Sequence, residues 1–143
     1  MEADRTRVAA YALCRDDAGH ILLTRWVQAG APASGSWTMP GGRTEWGEQP
    51  HETALRELHE ETGLEADIGR VLAVRSEWIE PRESFLGDHF HAVQIVYEAT
   101  NVRGALRTDF SACDTTDAAA WFTLEEASAL RKVGLVTFCL DLC

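Results

Sequence analysis

GRTEWGEQPHETALRELHEETGL, residues 42–64, is the most informative segment of this 143-residue chain. Its centre, residues 50–62, reads as a helix. Gln49 precedes Pro50, which suits the first helical position because the N–H it lacks has no partner there. Gly63 suits the residue just past the end, where the chain turns left-handed. Leu55 and Leu58, with Ala54 at their edge, form the apolar side, and Glu57, Glu60 and Glu61 lie away from it. These three glutamates stand at i, i+3 and i+4, so they share one face. Like charges at that spacing repel by a few tenths of a kcal/mol. Glu60 and Glu61 also meet the negative end of the helix dipole, a further penalty of up to about 1 kcal/mol. A hard divalent cation reverses both effects, because Mg²⁺ takes oxygen ligands and bridges to phosphates. The plain alternative is an acidic face turned to water.

Outward from this helix, WTMPGG (37–42) brings an extended piece to a turn. Pro40 keeps Met39 out of helical geometry, and Gly41 and Gly42 allow the backbone to approach a ligand closely. Residues 7–15 and 20–26 are two strand-like runs separated by DDAG, which predicts a hairpin. Residues 28–36 form a loop by composition. Residues 68–79 and 88–100 read as longer strands; in the second, Val93, Ile95 and Tyr97 take alternate positions. A short strand is expected at 118–124. A helix follows from Leu124 to Leu130, capped by Thr123 with Glu126 three residues on. The period of the tail, VGLVTFCLDLC, fits a strand, a helix end or an interface equally. The mixed order favours an α+β or α/β sandwich over a doubly wound sheet.

Composition narrows the partners. An apolar fraction of 45% and a charged fraction of 25% describe a soluble globular chain, read as one domain over residues 1–143. No run approaches the roughly 18 apolar residues of a membrane span, and MEADRTRV has no signal-peptide core, so a cytoplasmic protein is expected. Cys14, Cys113, Cys139 and Cys143 lack CxxC spacing, which argues against zinc and against a disulfide scaffold. The formal net charge of −10 disfavours a nucleic-acid polymer but allows a small phosphorylated substrate where a cation offsets the field.

The segment 42–64 is similar throughout to the signature of the Nudix hydrolase family: Gly, five residues, Glu, seven residues, then Arg-Glu-apolar-any-Glu-Glu-any-Gly-apolar. Gly42, Glu48, Arg56, Glu57, Leu58, Glu60, Glu61, Gly63 and Leu64 fill the defined places, and WTMPGG resembles the family's lead-in. The resemblance implies an α/β/α sandwich in which a mixed β-sheet packs between helices. It implies Mg²⁺, with Mn²⁺ as a substitute, held by Gly42, Glu57, Glu60 and Glu61. It implies water attack on a pyrophosphate linkage of a nucleotide substrate, with Glu57 and Glu60 as candidate bases. Glu48 and Arg56 are expected to form an ion pair tying loop to helix. Relatives often carry a later glutamate; here Asp114 and Asp117 precede a strand whose approach is filled by Ala118 to Ala120, so a fourth carboxylate is left open. A homodimer is a further expectation of the resemblance.

Outside the segment, His89, His91, Trp37 and Arg25 are candidate substrate contacts. Each has an ordinary structural alternative. Trp46 and Trp78 are possible stacking surfaces, and Pro81 stands roughly where some ADP-ribose-cleaving relatives carry a proline. Two other functions compete with hydrolysis: a non-catalytic nucleotide-sensing module of the same fold, and an isomerase of an isoprenoid diphosphate. The complete acid set speaks against both.

Overall fold

The computed structural model describes residues 4–80 and 89–143. Pro81 lies outside the described residues. Along the chain come β1 (Asp4–Leu13), β2 (Ile21–Trp26), β3 (Ser36–Thr38), β4 (Gly41–Arg43), α1 (Pro50–Thr62), β5 (Glu65–Ile79), β6 (His89–Arg103), β7 (Thr116–Phe122), α2 (Leu124–Ala129) and α3 (Gly134–Leu140). No helix among the described residues is long and apolar enough to cross a membrane.

The strands form two sheets where one mixed sheet was expected. The first runs β4-β1-β6-β5, with β1 and β6 parallel and the other pairs antiparallel; the second, β3-β2-β7, is antiparallel throughout. After a polar, exposed start, β1 reads as an unbroken apolar run over residues 9–13, where both of its faces are covered. Ala9, Tyr11 and Leu13 join a core with Ala127 of α2 and with Leu135, Val136 and Cys139 of α3. Ala10, Ala12 and Cys14 join a second core with Ala54 and Leu58 of α1. β2 divides in the same way, Ile21 and Leu23 to the first core and Leu22 to the second. Helices therefore close the sheets from two sides, and the α+β class with sandwich layering holds.

The hairpin predicted from residues 7–15 and 20–26 survives only at its mouth. Arg15 bridges Ile21, and the Leu22 N–H donates to the Cys14 carbonyl at 3.2 Å. Beyond that point β1 is flanked by β4 and β6, and β2 by β3 and β7. Each strand is central in its own sheet, so neither has a free edge for the other. The undecided tail becomes α3, whose buried Leu135, Val136 and Cys139 follow a helical stripe.

Helix α1 has the predicted ends. The Glu52 carboxylate accepts from the Gln49 N–H at 2.9 Å, and Gly63, at φ 78°, returns its N–H to the His59 carbonyl at 2.8 Å. Its buried side differs from the prediction: Thr53, Ala54, Leu58 and Thr62 are buried, while Leu55 is only partly covered. The two threonines look polar in sequence but satisfy their hydroxyls locally, Thr62 on the Leu58 carbonyl and Thr53 on Glu48, each at 2.6 Å. As a result Glu57 and Glu61 border the buried stripe, and only Glu60 is turned outward.

Candidate active site

The glycine pair places the backbone where the acids need it. β4 lies against β1 with Gly41 opposite Tyr11 and Gly42 opposite Ala10. A Cβ on Gly41 would run into the Ala10 carbonyl and the Tyr11 ring, so only glycine allows this approach. A Cβ on Gly42 would stand 3.0 Å from the Glu57 carboxyl carbon. The Gly41 N–H donates to Glu61 Oε1 at 2.9 Å.

Arg56 organises the other end of the cluster. Its Nε and Nη2 grip Glu48 at 2.7 and 3.0 Å, the two-point geometry that guanidinium and carboxylate share. Nη1 reaches Glu57 Oε1 at 3.0 Å and Glu60 Oε2 at 3.2 Å. Glu48 also accepts from the Thr53 hydroxyl at 2.6 Å and the Glu45 N–H at 3.2 Å. Donation by Arg56, and secondarily by Thr53, holds the Glu48 carboxyl down at about 2.

Toward the helix C-terminus the direction reverses. Burial pushes Glu57 above the usual carboxylate range, against the Arg56 charge, and the charge of Glu60 adds to the rise. Burial pushes Glu61 well above it; the Gly41 N–H opposes, and Glu57 and Glu60 add to the rise. Among the described residues no three acidic, histidine or thiol side chains converge into a closed cation cage. Glu57 and Glu60 face Arg56, and Glu61 faces Gly41. The donor chemistry nevertheless suits a hard divalent cation: three carboxylates on one helix, one of them buried against charge repulsion, beside a glycine whose missing Cβ keeps space next to Glu57.

A cavity of about 470 Å³ opens on this cluster. Glu45 and the α1 residues Arg56, Glu57, Glu60 and Glu61 line it together with Arg107 and residues 112–116, which lead into β7. Of the two later carboxylates, Asp114 lines the cavity, whereas Asp117 is held by Arg25 at 2.7 and 3.1 Å. Cys113 lies on the wall, its Sγ 3.5 Å from the Glu60 carbonyl. The Arg107 N–H donates to the Thr62 carbonyl at 2.7 Å, tying the loop to the end of α1. The Arg107 Nε is buried and has no hydrogen-bond partner, an arrangement that costs about 1–3 kcal/mol. Sequence reading missed Arg107, because a single arginine in a loop has no spacing to mark it.

The remaining candidates sit elsewhere. Arg25 is occupied by Asp117 at the surface, and Trp37 packs edge-on against Phe122 with centroids 4.9 Å apart. His91 stacks on Trp78 with ring centroids 4.9 Å apart and planes nearly parallel, and its Nε2 lies 3.0 Å from the Ser76 hydroxyl. His89 lies 3.5 Å from Glu80. Both histidines line a separate cavity of about 330 Å³. None of Arg25, Trp37, His89 and His91 lines the acidic cavity. Trp46 is fully exposed.

Residues 5–136 match the NUDIX domain family. Among curated relatives, RNA pyrophosphohydrolase of Roseobacter denitrificans is 46% identical over 44 residues, 31% of this chain and 28% of that protein. RNA pyrophosphohydrolase of Pseudomonas aeruginosa is 33% identical over 82 residues, 57% of this chain and 48% of that protein. The match thus spans less than half the length of either relative. Among solved structures, a MutT NUDIX hydrolase from Burkholderia pseudomallei superposes with a TM-score of 0.76 at 28% identity, covering 96% of this chain and 98% of that one.

Proposed function

This chain belongs to the NUDIX domain family, and from that premise we propose that it is a divalent-metal-dependent pyrophosphohydrolase, splitting a phosphoric anhydride bond of a nucleotide substrate. The observation that carries this reading is the wall of Glu57, Glu60 and Glu61 on one cavity, with Glu61 half-buried and fixed by the Gly41 N–H. Gly42, Glu57, Glu60 and Glu61 would hold Mg²⁺ or Mn²⁺. When bound, that ion supplies charge neutralisation at the phosphate oxygens and acidifies water.

The chain's own groups do the rest. Glu57 takes the proton of the attacking water at Oε2, the oxygen that Arg56 does not hold, with Glu60 as the second candidate base. The water oxygen bonds to phosphorus as the anhydride P–O bond breaks, and the leaving phosphate takes the electron pair. Arg56, anchored on Glu48, fixes the orientation of Glu57 and Glu60.

Candidate substrates are nucleoside triphosphates, including oxidised ones, ADP-ribose and other nucleotide sugars. The names of the relatives add RNA, whose anhydride linkages lie at a 5′-triphosphate end. The net charge of −10 favours a grip on that terminus over a grip on the polymer. A panel of these compounds with Mg²⁺ or Mn²⁺, read by product identification, tests the proposal. Release of a nucleoside monophosphate or of pyrophosphate supports it. Absence of turnover on every member, with the protein folded, counts against it.

A further inference from the structure

The acidic cavity is lined by five carboxylates and two arginines, a poor receptor for a polyanion as it stands. Arg56 cannot offset this, because its donors are spread over Glu48, Glu57 and Glu60. Arg107 is in a different state. Among the described residues its guanidinium makes no ion pair and no hydrogen bond, and its Nε–H is buried without an acceptor. Asp109, whose carboxyl Arg107 helps to lower, accepts instead from the Ser111 N–H at 2.9 Å. The backbone, by contrast, is fixed. The Arg107 N–H is bonded to the Thr62 carbonyl, and the left-handed turn at Gly63 brings the Gly63 Cα against the carbonyl of Ala105, where a Cβ would sit 3.0 Å away. A rigidly placed main chain thus carries a guanidinium with unused donors in the same cavity as Glu60 and Glu61.

We infer that Arg107 is the residue that grips the substrate's phosphate chain, its planar fork donating to the oxygens of a terminal or bridging phosphate in the cavity it shares with the acids. This inference rests on the pyrophosphohydrolase reading and names a binding residue of that site. A turn of the side chain toward the bound phosphate would give the idle Nε–H an acceptor. It also gives the phosphate chain a cationic anchor outside the acids of α1, so anchor and acids together define which end of the substrate faces Glu57.

Inorganic tripolyphosphate, with Mg²⁺ present, is the probe. Titration calorimetry on Arg107→Gln should show binding weakened about 10- to 100-fold, with Arg107→Lys between it and the wild type, because lysine keeps the charge and loses the fork. Arg70→Gln, on β5 and largely exposed, makes the same change in net charge away from the cavity and should leave affinity within a factor of two. The melting temperature of Arg107→Gln should match that of the wild type, since no hydrogen bond of the side chain is lost. On whichever substrate the panel identifies, KM should rise with kcat less affected. Unchanged tripolyphosphate affinity in Arg107→Gln overturns the inference. So does a loss no larger than that of Arg70→Gln, or a fall in melting temperature with binding intact, which would make Arg107 a structural counter-charge for the end of α1. Failure of the underlying reading looks different: the wild type itself would turn over nothing.

Discussion

Glu48 and Glu61 are the same side chain at the two ends of one cluster, and the protein treats them oppositely. Glu48 is surrounded by donors, Arg56 at two points, Thr53 and the Glu45 N–H, and its carboxyl is held at about 2. Glu61 is half-buried with a single backbone donor and two neighbouring carboxylates, and desolvation pushes its carboxyl well up. The first environment is complete within the chain. The second has one backbone donor and, under the proposed function, is the one that a bound cation would complete. On the proposed reading, the number of donors each acid is given separates the structural acid from the metal-binding one.

The largest test of that contrast is Glu57→Gln, which should lower turnover by about 10²- to 10⁴-fold while the fold persists. Steady-state rates with Mg²⁺, beside a circular-dichroism melt, measure both. Wild-type turnover in this variant would remove the functional half of the comparison.

A second test asks for opposite signs. Glu48→Gln leaves Arg56 without its main partner and should lower unfolding free energy by about 1–3 kcal/mol. Glu61→Gln, measured with chelator present, should raise stability, because it removes a charge that burial disfavours. Urea denaturation of both variants gives the signs directly, and two losses would contradict the contrast.

Sequence reached the first half of this picture more easily than the second. The ends of α1 and the acid spacing are local, so Pro50, Gly63 and the 57/60/61 pattern were legible. So was the Glu48/Arg56 pairing, through the resemblance. The buried stripe was misjudged because Thr53 and Thr62 hide their hydroxyls in local bonds. The division into two sheets depends on which edges pair across tens of residues, and no local period carries that. Asp114 and Arg107 reach the cavity only through the path of the 104–115 loop.

The two environments also predict two pH windows. A carboxyl raised in the folded state contributes stability that is full below its unfolded value, about 4.3, and is lost as pH rises through the folded value. Metal-free wild type should therefore lose stability as pH rises above about 4.3, and Glu61→Gln should flatten that slope. A depressed carboxyl works in reverse: the contribution of Glu48 is present above about 4.3 and fades as pH falls toward about 2. Only the upper window should close when Mg²⁺ is added. Melting curves across pH, with and without chelator, separate the two.

The smallest effect is expected at Arg25. It meets Asp117 with the same two-point geometry as Arg56 and Glu48, but both side chains are about two-fifths exposed. Solvent screening limits such a pair to about 0.2–1 kcal/mol. A denaturant midpoint for Arg25→Gln showing a larger loss would mean that geometry, rather than burial, sets the strength of these pairs.

Helix α1 is also a ruler. Pro50 fixes one end and Gly63 the other, and the 13 residues between Gln49 and Gly63 span about 20 Å. Each residue advances the helix by about 100°. One residue inserted between Glu48 and Arg56 would swing Glu57 and Glu61 through that angle relative to the Gly41 N–H and the cavity. The exposed positions of this segment can drift through many substitutions, but its length cannot drift by one.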